Sequence, residues 1–322
     1  MLVIAGLRIT PATARIYFAV QALAGAGWWI GVFTSDTVRF STLGELPILP
    51  VAVLDIPLFV IGSGLVSLGV RWALWITVPW TAIVAIGMAL YSTTTTLAGW
   101  GALLMVLAAG ASTAAAVVLV CGRAPVELLA TGPFAFRRAD PSGTTRLLAR
   151  TGLQTLFFWS TFLVVIPVFV AFIETRWLLR LDLPFAVHAS GGVLLLAATA
   201  LGVWSAISMT VHGQGTPLPS QMARRLVVTG PYRLVRNPMA VAGIAQGVAV
   251  GLLFGSWMVV AYSLSGSVLW NTVVRPLEEQ DLEERFGAEF VDYRSRVSCW
   301  VPIRPRATRA IDRRSRTGSD RR

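Results

Sequence analysis

The stretch RNPMAVAGIAQGVAVGLLFGSWMVVAYSLSGSVLWNTVV, residues 236–274, decides the fold. It contains two apolar runs, 239–254 and 257–274, and only Gly255 and Ser256 separate them. An apolar helix of roughly 20 residues crosses the hydrocarbon core of a bilayer. Because both runs are short and the connection has two residues, the stretch predicts a tight helical hairpin in a membrane.

Composition extends this prediction to the whole chain. Of the 322 residues, 55% are hydrophobic and only 13% are charged, whereas soluble domains carry about 25% charged residues. We therefore predict an all-α, polytopic membrane helical bundle of about eight transmembrane helices with a C-terminal interfacial helix. The predicted spans are 16–33, 51–70, 72–91, 98–121, 153–173, 184–208, 239–254 and 257–274.

The distribution of positive charge predicts the orientation of this bundle. The 27 basic residues are all arginines, and with these spans all but Arg39, Arg176 and Arg180 fall on one face. Cytoplasmic loops carry the excess of arginine in membrane proteins. We therefore expect a multi-pass protein of the cell membrane with both termini in the cytoplasm, and anionic phospholipids as partners of its basic loops and tail.

The basic loop after the fourth span also divides the chain. We predict a four-span bundle over 1–121, a basic cytoplasmic linker over 122–147, a membrane domain carrying the chemistry over 148–305, and a basic disordered tail over 306–322. The first four spans have few polar features beyond Asp55, which favours a scaffold role. Cys121 and Cys299 indicate no disulfide framework, and no Cys/His cluster has metal-ligand spacing.

Three motifs of the second half carry possible chemistry, and the first is HGQGTPLP, residues 212–219. Gly213 and Gly215 form a turn that lets the backbone approach a ligand closely. A plain helix stop by the two prolines is the alternative.

The second motif is LVVTGPYRLVRNPM, residues 226–239. Tyr232 offers an aromatic face, and Asn237 with Pro238 is a favourable helix start. The positive end of that helix lies beside Arg233 and Arg236, which predicts an anion site. Arginines at such a position also anchor loops to lipid headgroups, and we assign that role to Arg224 and Arg225.

The third motif begins with glycines at strict four-residue spacing from Gly243 to Gly255, which favour close helix packing, although Gly243 also leaves room for a ligand. The charged segment NTVVRPLEEQDLEERFGAEFVDYRSRV, residues 271–297, follows. A helix continuing through Pro276 places a polar stripe at the membrane boundary, formed by Asn271, Arg275, Glu278 and Leu282. Carboxylates at a membrane boundary are costly and tend to be functional, although a salt-bridged interfacial helix is the simpler alternative.

Together and in this order, the motifs GQGTP, VVTGPYRLVRNPM and LEEQDLEERFGAEFVDYRSRV resemble the isoprenylcysteine carboxyl methyltransferase and phospholipid methyltransferase group of integral membrane enzymes, over about residues 148–305. The resemblance implies S-adenosylmethionine as methyl donor. Its implied cofactor-binding residues are Gly213, Gly215, Thr216, Tyr232, Arg236, Asn237, Pro238, Met239, Gly243, Glu278 and Glu279. Catalytic roles fall to Arg236, Arg275, Glu278 and Glu279.

The acceptor is left open by the sequence. Asn237 stands where the carboxyl methyltransferases usually carry histidine, and Ala240 stands where a tyrosine is usual, so NPM is closer to the phospholipid methyltransferase form. We expect a lipophilic isoprenoid or lipid substrate with a carboxylate or amine head, entering from the bilayer, and no nucleic acid. The alternatives are an NADPH-dependent reductase with a sterol-reductase-like fold and a non-enzymatic transporter or scaffold.

Overall fold

The computed structural model describes residues 3–4, 7–125, 144–215 and 223–302, and most of these residues are helical. The α-helices are α1 Pro11–Thr34, α2 Asp36–Thr42, α3 Ile48–Asp55, α4 Gly62–Ser67, α5 Arg71–Thr95, α6 Gly99–Cys121, α7 Thr144–Trp159, α8 Ile166–Arg176, α9 Phe185–Gly213, α10 Pro238–Phe254, α11 Trp257–Leu269, α12 Arg275–Phe286 and α13 Ala288–Arg296. A two-residue antiparallel pair, β1 Val3–Ile4 with β2 Leu7–Arg8, precedes them.

The predicted fold class is confirmed. Seven helical stretches of the described residues are long and apolar enough to cross a membrane. The predicted seventh span corresponds to α10, a shorter apolar helix of 17 residues, which still rises about 25 Å. Large apolar side chains such as Leu23 and Leu196 are exposed on the spans, where lipid replaces water. The chain is a multi-pass membrane protein.

Three of the spans contain wide π-helical turns, at Ile56–Ile61, Ser160–Val165 and Trp270–Val274. Each wide turn has a proline in it or near it. Pro57 lies inside the first turn, and Pro167 and Pro276 each lie two residues after the end of the second and the third. Proline has no N–H and collides with the preceding turn, so the helix widens locally instead of breaking. The helix continues through Pro276 as predicted, with the wide turn Trp270–Val274 just before it.

The three arginines predicted to lie on the outer face all hydrogen-bond to carbonyls at helix C-termini. Arg39 donates to Val32 O at 3.3 Å, Arg176 donates to Thr93 O at 2.7 Å, and Arg180 donates to Phe254 O at 2.9 Å. The last turn of a helix leaves its carbonyl groups without partners and carries negative partial charge. These arginines therefore stabilise the ends of α1, α5 and α10.

Asp55, a carboxylate within the N-terminal spans, is buried and accepts two hydrogen bonds. Trp29 Nε1 donates to it at 2.9 Å and Trp80 Nε1 at 3.1 Å. One carboxylate thus ties α3 to both α1 and α5. Asp55 therefore has a structural role between these helices.

The predicted hairpin of α10 and α11 positions the candidate site. Gly255 ends α10 at φ +63°, and the Ser256 side chain accepts a hydrogen bond from Val259 N to begin α11. A side chain at Gly251 would lie 2.8 Å from Val260 N, so the two helices pack at backbone distance. The start of α10 and the end of the α11–α12 helix consequently reach the same face of the bundle.

Candidate functional site

The second and third motifs meet in a pocket of about 480 Å³ between α7, α9, the start of α10, α12 and α13. Its wall is apolar on the side of the spans and charged on the side of α12. The lining residues are Phe158, Met209, Ala223, Arg225, Leu226, Val227, Tyr232, Arg236, Asn237, Met239, Ala240, Trp270, Val274, Glu278, Glu279, Leu282, Phe286, Phe290 and Tyr293.

Six residues predicted to bind the cofactor line this pocket together. Three come from the loop before α10, one from α10 itself and two from α12, although about 40 residues of chain separate the two groups. They are Tyr232, Arg236, Asn237, Met239, Glu278 and Glu279. The sequence therefore identified the two segments whose charges share one cavity.

Arg236 is the cation of the pocket, and its side chain is only 12% exposed. Its Nη1 lies 3.2 Å from Glu279 Oε1, which is also 3.9 Å from Arg275 Nε. Neither Arg236 Nε nor Nη1 makes a hydrogen bond of good geometry within the described residues. A buried guanidinium with unused donors is suited to bind an additional anionic group.

Glu278 differs from its neighbour because the described residues give it no hydrogen bond or ion pair, although it lines the pocket. Glu279 is directed to Arg236 and Arg275 instead. Adjacent residues diverge by about 100° on a helix, so the two carboxylates take different partners. Glu279 positions Arg236, and Glu278 leaves its carboxyl group available to a ligand.

Tyr232 presents a buried hydroxyl group without a partner. The residue is 4% exposed, and its Oη makes no hydrogen bond within the described part of the chain. Burial and the nearby charge of Glu278 raise the pKa of Tyr232 well above its usual value, so the hydroxyl is protonated at neutral pH. An unsatisfied donor of this kind is rare in a protein interior and indicates a position for a ligand atom.

Residues of α13 and of the segment after it hold the loop before α10, which contains Arg236, in place. Arg236 N donates to Ser298 O at 2.9 Å, and Tyr293 Oη donates to Tyr232 O at 2.5 Å. Burial raises the pKa of Tyr293, so its hydroxyl remains a donor at neutral pH. The backbone of the loop is therefore fixed by α13 and the segment that follows it.

Comparison with known proteins identifies the region that contains the charged residues of the pocket. Residues 186–289 match the phospholipid methyltransferase family model. The predicted resemblance is confirmed over this region.

A relative with a known name supports the same enzyme class. Over 176 residues the chain is 26% identical to methanethiol S-methyltransferase 2 of Bradyrhizobium diazoefficiens, which covers 53% of this chain. The match spans 64% of that relative, less than two thirds of its length. Both comparisons therefore favour an enzyme of the methyltransferase class over a transporter or scaffold.

The phospholipid methyltransferase region contains most of the charged wall, but not all of the pocket. Tyr232, Arg236, Glu278 and Glu279 lie inside the matched residues, whereas Phe158 and Tyr293 lie outside them. One apolar wall residue, Phe158, and the clamp on the loop, Tyr293, thus come from segments that the family match does not include.

Several predicted site residues do not line the pocket. Gly213 and Gly215 are buried at the end of α9, and a side chain at Gly213 would meet Val227 at 2.7 Å, so this glycine serves packing. Gly243 is exposed and has open space around it. Thr216 falls outside the described residues.

The remaining predicted site residues have contacts other than those expected. They are Pro238, Asn237 and Arg275. Pro238 is buried at the start of α10. Asn237 occupies the N-cap position but makes no capping hydrogen bond, because its side chain turns toward Cys299 Sγ, 4.0 Å away. Arg275 reaches the pocket only through Glu279, and Asn271 accepts a hydrogen bond from Trp300 instead.

Sequence reasoning missed Arg225 and Tyr293. We expected Arg225 to contact lipid headgroups, whereas the structure brings it to the pocket wall. Tyr293 is buried on α13, which begins after Gly287 at φ +53°. That glycine redirects the chain, and the redirection sets the side of α13 that faces the loop.

Proposed function

We propose that the chain is an S-adenosylmethionine-dependent integral membrane methyltransferase that acts on the carboxylate or amine head of a lipophilic substrate. One observation carries the proposal: a cation with unused donors, Arg236, and an unpaired carboxylate, Glu278, line the same cavity. A ligand bearing both an amino and a carboxyl group satisfies both charges. The match to the phospholipid methyltransferase family supports methyl transfer as the reaction in which such a ligand takes part.

The cofactor would supply an activated methyl group on a sulfonium, so the protein has mainly to align the acceptor and exclude water. Arg236 would hold an anionic group of the cofactor, and Glu278 would face a cationic one. An amine acceptor must lose a proton, which Glu278 is placed to accept. A carboxylate acceptor needs no base and would be held by Arg225 or Arg236.

The apolar wall supports a lipophilic acceptor. Phe158, Met209, Trp270 and Val274 come from the parts of α7, α9 and the α11–α12 helix next to the membrane spans. A long apolar group entering from the bilayer would bury its surface against these side chains, at about 25 cal/mol per Å². The polar head would then lie toward Arg236 and Glu278.

The proposed orientation places this pocket at the cytoplasmic face of the cell membrane, with both termini on the same side. The distribution of the arginines supports it, and so do Arg39, Arg176 and Arg180, which contact helix ends on the opposite face. Anionic phospholipids are the proposed partners of the basic loops and tail.

Cofactor binding tests the proposed function without knowledge of the acceptor. We expect S-adenosylmethionine and its demethylated product to raise the unfolding temperature of the detergent-purified protein, since a ligand at 100 times its Kd stabilises the folded state by about 2.7 kcal/mol. NADPH should have no effect. Stabilisation by NADPH alone would establish the reductase alternative, and no response to any of the three ligands would contradict both enzymatic functions.

The Tyr232→Phe variant tests the unpaired hydroxyl. An unsatisfied buried hydroxyl costs about 1–3 kcal/mol, so the ligand-free variant should be as stable as the wild type or more stable. If the hydroxyl donates to the cofactor, affinity should fall by about tenfold, equivalent to roughly 1.4 kcal/mol. Isothermal calorimetry and thermal unfolding measure the two effects.

The contrasting variant is Tyr293→Phe, which removes a hydrogen bond that the structure already makes. It should lower stability in the absence of any ligand. Equal affinity of Tyr232→Phe and wild type for the cofactor would remove Tyr232 from the binding site.

A further inference from the structure

A second groove of about 400 Å³ lies at the end of the N-terminal bundle, far from the methyltransferase motifs in sequence. It is formed where α1 and α5 begin and where α4 and α6 end. The residues that line it are Pro11, Arg15, Val66, Gly69, Val70, Arg71, Leu74, Trp75, Leu119 and Val120. No part of the proposed reaction uses this groove.

Two arginines give the groove its charge. No acidic side chain is among the lining residues, and the described part of the chain provides neither Arg15 nor Arg71 with a hydrogen bond or an ion pair. Both are exposed. Two unpaired cations at one edge of a cavity strongly favour an anionic occupant.

Gly69 leaves space for the guanidinium group of Arg15. Its φ of +92° is a conformation that side-chain-bearing residues rarely adopt, and a Cβ there would be 3.4 Å from Arg15 Nη2. The turn between α4 and α5 thus leaves the Arg15 guanidinium beside bare backbone at the rim of the groove. Arg71 begins α5 on the other side of this turn.

The rest of the groove is apolar. Val66 and Leu74 belong to the buried core of the N-terminal bundle, and Leu119 packs against that core. Trp75 is 69% exposed about one helical turn after Arg71 on α5, and exposed tryptophans of membrane proteins concentrate at the headgroup level of the bilayer. The cations therefore lie at headgroup depth, and the apolar floor extends from them along the spans.

We infer that this groove binds an anionic phospholipid. The phosphate would lie between the guanidinium groups of Arg15 and Arg71, and an acyl chain would lie against Leu74, Leu119 and Val120. Guanidinium groups are well suited to phosphate oxygens, and the apolar floor accounts for binding a lipid in preference to a free ion. The groove is independent of the proposed reaction, since it shares no lining residue with the methyltransferase pocket, and it gives the proposed anionic lipid partners one defined site.

The experiment is lipid retention, measured by native mass spectrometry of the full-length, delipidated protein titrated with phosphatidylglycerol or phosphatidylcholine. We expect wild type to retain at least one phosphatidylglycerol with about tenfold preference over phosphatidylcholine. The double variant Arg15→Ala/Arg71→Ala should lose this preference. Arg233→Ala/Arg296→Ala removes the same charge from exposed positions that line neither cavity and should keep it.

A groove-filling variant separates the lipid from general electrostatics and from misfolding. Val120 is 53% exposed, so Val120→Trp should fold, keep both cations and still reduce phosphatidylglycerol retention about tenfold. Full retention by either groove variant would overturn the inference. Equal losses from the groove and control double variants, or displacement of the lipid by millimolar inorganic phosphate, would likewise overturn it, because the groove would then have no role beyond its charge.

Discussion

Arg236→Ala is expected to abolish measurable binding of S-adenosylmethionine while leaving the protein folded. Truncating a buried, charge-bearing contact costs a few kcal/mol, equivalent to roughly one hundredfold or more in affinity. The variant also releases Glu279, which keeps Arg275 as a neighbour at 3.9 Å. Calorimetric titration with the cofactor and its demethylated product measures the loss, and thermal unfolding without ligand checks the fold.

The matched control is Arg233→Ala, three residues earlier in the same loop. Arg233 is exposed and does not line the pocket, and exposed charges contribute about 0–1 kcal/mol. Deleting 307–322 removes further arginines and should also leave cofactor binding intact. If the control variants weaken binding as much as Arg236→Ala does, general positive charge and not a defined site explains the motif.

Glu278→Ala should also lower the affinity for the cofactor by about one hundredfold. The reason differs from that for Arg236→Ala, because Glu278 is expected to face the cationic group of the cofactor. No described side chain depends on Glu278, so its removal should not destabilise the ligand-free protein. Glu279→Ala should behave differently, because it leaves the buried Arg236 without its ion-pair partner. We expect that variant to lose both stability and affinity.

Glu284→Ala is the control for α12. Glu284 lies on the same helix, is exposed, and accepts a hydrogen bond from Gln280 on that helix. Its removal should leave the dissociation constant within about twofold of wild type, as expected for an exposed charge. Unchanged affinity in Glu278→Ala would assign the cationic part of the ligand to another group.

The sequence predicted the spans well because a bilayer imposes one requirement on each of them, a length of apolar residues. The hairpin was also predictable, since Gly255 and Ser256 leave no room for a longer connection. The wide turns were not predictable in this way. Whether a helix breaks, kinks or widens near Pro167 and Pro276 depends on the helices packed around it. The local sequence around each proline does not show which helices those are.

The candidate site shows the same division. Tyr232, Arg236 and the pair Glu278–Glu279 were predicted because their types and order resemble a family. The position of Arg225 at the pocket was not predicted, because exposed arginines near a membrane look alike in sequence whether they face lipid or a cavity. The different partners of Glu278 and Glu279 depend on where Arg236 lies, which only the tertiary structure determines.

The wide turn at Trp270–Val274 makes the spacing between the hairpin and α12 as important as the residues themselves. A π-helical turn accommodates one residue more than the α-helical turn it replaces, so every later position is one step out of phase with a regular helix. Removing one residue from the turn would rotate α12 by about 100° and direct Glu278 away from the cavity. The charged wall of the pocket therefore depends on the number of residues in this turn as well as on their identity. A deletion of one residue from the turn would disrupt the wall even in a chain that keeps every pocket residue.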